Sequence, residues 1–177
     1  MFFKFLAFFF GNSRIENEVF HISPQEEKAR DVLNLTLDAL KRDEGSNKKN
    51  GRHLPYRDTK KLVTIGYGRN LSANGISEEE ALEFLVEDYE EALRGAKSLF
   101  PETWDMFTLF QQSALINLTF NMGLKSFKGF ERTTLPLIRQ GKMEEAVKNL
   151  LKSKWARDVR IGRATRVTNL LLNKNTY

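Results

Sequence analysis

The sequence predicts an α+β fold that is predominantly helical, with one short antiparallel β region between helices. Two helix starts carry a serine followed three residues later by a glutamate, at Ser23 and at Ser77, which is the pattern of a capping box. Between them, residues 55–58 and 62–65 have the composition of two short strands joined by a turn. Apolar residues at helical spacing fill most of the remaining chain, so helices are expected to dominate.

The composition is that of a soluble globular protein with a sizeable core. The chain has 177 residues, of which 41% are hydrophobic and 29% charged, enough for one domain or two small lobes. Because there is no cysteine, a disulfide framework, a catalytic thiol and a thiolate metal site are excluded. The two histidines, His21 and His53, give poor support to a histidine metal cage or a serine–histidine–aspartate triad.

The net charge of +5 favours polyanionic partners, and much of it lies after residue 124, where thirteen Lys and Arg face four Asp and Glu. Nucleic acid, anionic lipid and the carboxylate-bearing bacterial wall all fit this charge, as does a merely solvated basic face.

Residues 1–23 form an N-terminal extension. Its first ten residues are apolar except for Lys4, a run too short to span a bilayer and a poor secretory signal. Docking on the protein's own body is the preferred interpretation. A shallow membrane-surface contact and a weak export signal are the alternatives.

The first helix is expected from residue 24 to about Arg42 or Asp43, where Gly45 stops it. Its apolar stripe continues directly into Glu44, so this carboxylate is expected to be partly desolvated, which favours the protonated form of a proton donor. A surface glutamate at a fraying helix end is an equally common alternative. The stripe consists of Ala29, Leu33, Leu37 and Leu40.

A polar, basic loop is expected over residues 46–53, followed by the two strands. Asp58 lies at their turn and Thr64 in the second strand; taken alone, each residue is most often structural. Gly66 and Gly68 flank Tyr67 and allow the backbone to approach a ligand closely.

The second half predicts a series of helices. Asn117 and Asn121 lie one helical turn apart in the most apolar of them; buried asparagine usually satisfies backbone groups, although either residue can line a cleft. The helices are expected from Ser77 to before Pro101, through 104–122, from Thr133 to Gly141, over 144–155 and over 162–172.

Over roughly residues 35–172 the chain resembles the phage-type lysozymes or endolysins, glycoside hydrolase family 24. The resemblance rests on several motifs in order, which together are more specific than any one of them. The motifs are DEG, YRDT, TIGYGRNL, ISEEEA, ALINLTFNMG, FERTTL, QGKMEEA, KSKWARD and GRATRV.

The resemblance implies a single catalytic domain over residues 24–177 that hydrolyses the β-1,4 bond between N-acetylmuramic acid and N-acetylglucosamine in peptidoglycan, without metal or cofactor. A β lobe at about 46–72 and a helical lobe at about 77–172, with the helix 24–44, would be joined by the long helix that starts at Ser77, leaving a cleft between the lobes.

By the same resemblance, Glu44 is the catalytic acid, Asp58 the second carboxylate, and Thr64 the residue that places the attacking water. Such a pair suits a reaction with an oxocarbenium-like transition state, and the family suggests inversion. The supporting or substrate-binding residues expected from it and from the helix pattern are Phe120, Asn121, Thr133, Thr134 and Arg163.

Two departures from the best-known members concern the site. The segment SNKKNGRHL is inserted between Glu44 and Asp58, which are fourteen residues apart, and Arg69 stands where some members have histidine. Insertions in a surface loop cost little free energy, so the carboxylates can still converge.

The expected partner is the glycan strand of peptidoglycan, with a possible surface contact to anionic envelope polymers, no nucleic acid and a monomeric state. The resemblance implies a phage- or prophage-encoded protein that is made in the host cytoplasm and acts on periplasmic peptidoglycan. The alternatives are a lytic transglycosylase acting on the same bond, and a non-catalytic module that binds the wall or nucleic acid.

Overall fold

The computed structural model describes residues 24–174. These residues divide into two compact units, one ending at Gly75 and the other beginning at Ile76, and each unit is described by itself. The predictions for residues 1–23, including the cap at Ser23, and for the end of the tail lie outside the described residues.

Helices and short antiparallel strands make up the first unit, and helices make up the second. The elements of the first unit are α1 (Pro24–Glu44), β1 (Lys48–Lys49), β2 (Arg52–His53), β3 (Tyr56–Arg57), β4 (Val63–Ile65), β5 (Arg69–Asn70) and α2 (Leu71–Asn74). Those of the second are α3 (Glu78–Leu99), a 3-10 turn (Trp104–Met106), α4 (Leu109–Met122), α5 (Leu124–Lys128), a second 3-10 turn (Gly129–Arg132), α6 (Thr134–Arg139), α7 (Met143–Lys152), α8 (Lys154–Asp158) and α9 (Ile161–Leu171). The predicted α+β class, with a small antiparallel part and a larger helical part, is confirmed.

The predicted strand pair is also confirmed, and a third strand joins it. Strands β3, β4 and β5 form one antiparallel sheet with β4 in the middle. Tyr56 pairs with Thr64 across β3 and β4, and Thr64 pairs with Asn70 across β4 and β5. Thr64 therefore lies in the centre of the sheet.

The prediction of a loop over residues 46–53 is wrong, because this segment is a β-hairpin. Lys48 pairs with His53 and Lys49 with Arg52, around a turn in which Asn50 and Gly51 have φ values of 52° and 78°. Two consecutive positive φ values are the mark of a type I′ turn, and Asn-Gly is its preferred sequence.

Helix α1 ends at Glu44, one residue beyond the prediction, and Gly45 follows with a φ of 62°. The expected burial of its apolar stripe is wrong for the side chains that the structure describes. Leu33, Leu37 and Leu40 are 55%, 42% and 47% exposed. Within residues 24–174, no strand of the same unit forms an extensive contact with this helix, which agrees with the exposure of these three side chains.

The second unit contains the core. Ser77 and Glu80 form the predicted capping box at the start of α3, each side chain bonding the other's backbone N–H. Helix α4 is the predicted central buried helix, packed against α3 and α9. The largest fully buried apolar side chains are Phe100, Leu115, Leu118, Phe127, Leu135, Ile138, Leu150, Val167, Leu170 and Leu171.

Two predicted helices are shorter than expected. The segment 104–122 opens with the 3-10 turn, and α4 starts only after Thr108, which forms a second capping box with Gln111. The segment 144–155 is broken at Ser153, whose extended backbone ends α7 and whose hydroxyl accepts from the N–H of Ala156 to start α8. In both places a hydroxyl residue competes locally for backbone hydrogen bonds.

Candidate active site

Glu44 is the last residue of α1, and its side chain is exposed. The expected partial desolvation of Glu44 is therefore wrong. It depended on burial of the apolar stripe of α1, and the leucines of that stripe are exposed as well. An exposed carboxylate at a helix end is open to a substrate, and Gly45, in the left-handed conformation, turns the chain immediately after it.

Gly68 lies against the carboxylate of Glu44. It has a φ of 89°, and a Cβ added there would lie 3.2 Å from Oε2 of Glu44. This glycine closes the turn between β4 and β5, so the absence of a side chain lets the carboxylate sit against the turn that leaves the central strand. The contact joins residues 24 positions apart in the sequence.

Asp58 is half-buried at the turn between β3 and β4. Its Oδ1 accepts hydrogen bonds from the backbone N–H groups of Lys60 at 2.9 Å and Leu62 at 2.8 Å. One carboxylate oxygen thus fixes the turn, while the other has no hydrogen-bond partner in the described part of the chain.

Thr64 is only 3% exposed, and its hydroxyl donates to the carbonyl oxygen of Leu62 at 3.3 Å. The backbone N–H of Asp58 donates to the same carbonyl at 3.0 Å, which sets Asp58 opposite Leu62 as Tyr56 is set opposite Thr64. Extending the register of β3 and β4 by one pair makes Asp58 and Thr64 diagonal neighbours, with Cα atoms about 7–8 Å apart.

The basic hairpin, defined as residues 47–54, is anchored on the turn that carries Gly68. The side chain of Lys48 donates to the hydroxyl of Tyr67 at 3.3 Å and lies 5.4 Å from its ring centre. The ring of His53 meets that of Tyr67 edge-on, with centres 4.9 Å apart. The sequence interpretation missed this contact, although the Asn50-Gly51 pair indicates the hairpin itself.

The supporting residues predicted in the second unit differ in exposure. Phe120 is 42% exposed, whereas Thr134 is fully buried, so Thr133, which is exposed, is the threonine of the two that is open to a ligand. Asn121 accepts a hydrogen bond from the indole N–H of Trp155 at 2.8 Å, so its side-chain oxygen links α4 to α8. Arg163 is half-buried, and its guanidinium has no ion pair or hydrogen bond with the described part of the chain.

A bidentate ion pair braces the segment before Thr133. Glu131 accepts from Arg139, and the hydrogen bond lowers the pKa of the Glu131 carboxyl and raises that of the Arg139 guanidinium. Arg139 also donates to the carbonyl oxygen of Leu99 at 3.0 Å. The arginine thereby ties the end of α3 to the turn before α6.

Within residues 24–174, no group of three or more His, Asp or Glu side chains is arranged to hold a metal ion. No helix in the same range has the length and apolar character needed to cross a membrane.

The contact between Gly68 and Glu44 predicts the effect of a side chain at position 68. A Gly68→Ala substitution is expected to push the Glu44 carboxylate away, because its Cβ would lie 3.2 Å from Oε2. The carboxylate must give way by a few tenths of an ångström, so the expected result is a loss of catalytic rate of up to about tenfold, because even a small misplacement of a reacting group slows a reaction. The rate of turbidity loss of purified bacterial sacculi, the substrate that the resemblance implies, measures it.

Gly66→Ala is the matched control. Gly66 also has a positive φ, 65°, so both variants carry a similar backbone strain of about 1 kcal/mol. Nothing lies within 4 Å of a Cβ added at Gly66, so this variant leaves Glu44 in place. Equal losses of activity in the two variants would show that strain alone, and not contact with Glu44, is responsible.

Comparison with known proteins agrees with the resemblance drawn from the motifs. A model of the phage lysozyme family matches residues 47–173. The match contains Asp58 and Thr64 and begins three residues after Glu44. It covers most of the chain, from β1 of the first unit through the helices of the second, and it fits the α+β, lysozyme-like architecture. The chain therefore belongs to the phage lysozyme family, and its general activity is that of a glycosidase acting on bacterial peptidoglycan.

Proposed function

We propose that the protein is an endolysin-type muramidase that hydrolyses the β-1,4 bond between N-acetylmuramic acid and N-acetylglucosamine, with Glu44 as general acid, Asp58 as second carboxylate and Thr64 positioning the water. The observation that carries the proposal is the arrangement within the first unit. Glu44 lies against the turn that leaves β4, and Asp58 lies in the turn that leads into β4, the strand that contains Thr64.

Glycoside hydrolysis needs a protonated acid at the leaving oxygen and a second carboxylate across the sugar ring. Glu44 suits the first task because its exposed carboxyl group is open to the glycosidic oxygen. In the proposed mechanism it donates its proton as the bond to the departing sugar breaks. The positive charge that develops on the remaining ring then calls for a negative group nearby.

Asp58 meets that requirement without further preparation. Its Oδ1 is held by two backbone N–H groups, so the carboxylate is fixed before substrate arrives, and Oδ2 is left to face the ring or to take a proton from water. A fixed charge costs no reorganisation during the reaction. Because the hydroxyl of Thr64 already donates to Leu62, it would hold that water by accepting a hydrogen bond from it.

An Asp58→Asn variant tests the second carboxylate. The amide oxygen can still accept from Lys60 and Leu62, so the turn is kept while the charge is lost. The rate of sacculus hydrolysis is expected to fall by about 10²–10³-fold, while the free energy of unfolding changes by less than about 1 kcal/mol.

Asp58→Ala provides the comparison, because it removes the turn-forming oxygen as well as the charge. We expect it to be as inactive as Asp58→Asn and additionally less stable by about 1 kcal/mol in denaturant unfolding. An Asp58→Asn protein with wild-type activity would remove Asp58 from the mechanism and leave it as a turn residue.

Other parts of the assignment stay predictions from the resemblance. They are synthesis in a phage-infected or prophage-bearing host cytoplasm, passage to the periplasmic peptidoglycan, a monomeric state and contact of the basic C-terminal surface with anionic envelope polymers. Fractionation of expressing cells and sedimentation of the purified protein test the location and the oligomeric state.

A further inference from the structure

The basic hairpin carries a concentration of positive charge beside the candidate site. Residues 47–54 contain Lys48, Lys49 and Arg52 and no acidic residue. The hairpin is closed by the hydrogen bond from the N–H of Leu54 to the carbonyl oxygen of Asn47 at 2.8 Å. Its Asn-Gly turn gives it a defined register, so the backbone positions that carry its charged side chains are fixed.

The two faces of the hairpin differ in what they contact. Lys48 and His53 are directly paired, and both contact Tyr67. Because side chains alternate along a strand, Lys49 and Arg52 extend from the opposite face. Both are exposed, and among residues 24–174 neither forms an ion pair with an acidic group.

Lys49 and Arg52 are also cross-strand partners. Like charges directly opposite each other are destabilising, and their Cβ atoms stand only about 4.5–5.5 Å apart. A local arrangement that opposes folding, with no compensating contact, is typical of a binding site. Two adjacent cations with free donors form a site for a carboxylate or a phosphate, since arginine and lysine both bind such groups by charge-assisted hydrogen bonds.

The anchor of the hairpin places this cationic pair at the edge of the candidate site. Tyr67, which holds Lys48 and His53, is followed by Gly68, against which the carboxylate of Glu44 lies. Under the proposed function, a glycan strand bound at Glu44 would have its attached peptides within reach of this hairpin. Those peptides carry free carboxylates, whereas the sugars at the scissile bond do not.

We propose that Lys49 and Arg52 form a subsite for the carboxylates of the peptidoglycan stem peptides, and that Lys48, His53 and Tyr67 position it. This inference rests on the proposed function, because it assigns the substrate group that the same site recognises next to the cleaved bond. It makes the enzyme prefer glycan strands with acidic peptides over strands whose peptides are neutral.

The experiment compares two forms of one substrate. Sacculi from Gram-negative cells, freed of lipopolysaccharide, are used as such or after their carboxyl groups have been converted to amides with carbodiimide and ammonia. Initial release of soluble fragments is measured at low substrate for the wild type and for K49Q/R52Q. We expect the wild type to lose about fivefold on amidation, the size of effect that exposed ion pairs produce.

The double variant is expected to be about fivefold slower than the wild type on untreated sacculi and to lose little more on amidated sacculi. Its thermal stability should be equal to or higher than that of the wild type, because the opposed charges are gone. R94Q/K97Q, on exposed positions of α3 and outside the basic C-terminal surface, is the matched control. It removes the same charge and should keep the full response to amidation.

Every other pattern overturns the inference. If K49Q/R52Q responded to amidation as the wild type does, the hairpin would not bind the stem carboxylates. If both double variants lost the response equally, the effect would be one of net charge alone. A wild type indifferent to amidation would leave a phosphate-bearing polymer as the partner of the hairpin. No release by the wild type from either substrate would instead overturn the proposed function itself.

Discussion

Replacing Glu44 with glutamine is expected to slow the hydrolysis of purified sacculi by about 10²–10⁴-fold, the usual contribution of a positioned general acid. Glutamine has nearly the same shape, so it keeps the position beside Gly68, but its amide cannot deliver a proton to the leaving oxygen. The measurement is the initial release of soluble muropeptides at saturating enzyme. Because the side chain is exposed, the variant should unfold at the wild-type temperature.

Asp43→Asn is the control for this variant. Asp43 is the exposed neighbour of Glu44 in the last turn of α1, so its replacement removes one negative charge from the same helix end. We expect it to keep the activity of the wild type within about twofold, because the carboxylate that lies against Gly68 is that of Glu44 and is unchanged. Near wild-type activity of Glu44→Gln would contradict the assignment of the acid.

Phe100→Ala is expected to give the largest loss of stability, about 3–5 kcal/mol in denaturant unfolding. Phe100 is fully buried at the end of α3. Its ring lies 5.4 Å from that of Phe107 and 6.5 Å from that of Phe127, and the guanidinium of Arg139 lies 5.7 Å from its centre. Removing it leaves a cavity and ends several ring contacts at once.

Phe84→Ala is the matched control, since Phe84 is on the same helix but is 52% exposed. Its replacement should change the free energy of unfolding by no more than about 0.5 kcal/mol. A similar cost for the two variants would mean that the second unit does not have the core described above. A small cost for both would place Phe100 outside it.

Features set by neighbouring residues could be predicted from the sequence. The capping box at Ser77 and Glu80, the end of α1 at Gly45 and the turn at Asp58 each depend on contacts within a few residues, and all are confirmed. The hairpin could also be predicted, because Asn50-Gly51 is a strong signal for a two-residue hairpin turn. The polar composition of residues 46–53, in contrast, favours a loop, and that prediction is wrong.

What covers an apolar face could not be predicted in the same way. The spacing of Leu33, Leu37 and Leu40 correctly indicates a helix, but periodicity says nothing about a packing partner, and these side chains are exposed. The expected desolvation of Glu44 depended on such a packing partner, so it is wrong for the same reason as the expected burial of the leucines. Helix formation is local information, whereas burial is decided by the rest of the fold.

In the candidate site, too, the residue types could be predicted from the sequence, whereas the contacts between distant residues could not. The residue types and their order drew attention to Glu44, Asp58 and Thr64, but the approach of Glu44 to Gly68 joins distant parts of the chain and has no local signal. The choice between Thr133 and Thr134 likewise required the structure, because adjacent residues at a helix start differ in exposure only through the phase of the helix.

The most direct test of the muramidase assignment is the mass of the products formed from purified sacculi in ¹⁸O-labelled water. Hydrolysis adds one water oxygen to each new reducing end, so the wild type should yield muropeptides that end in labelled N-acetylmuramic acid, and Glu44→Gln should yield almost none. Unlabelled products with an anhydro sugar end would contradict hydrolysis and show a transglycosylase. Labelled ends on N-acetylglucosamine would contradict the assigned bond.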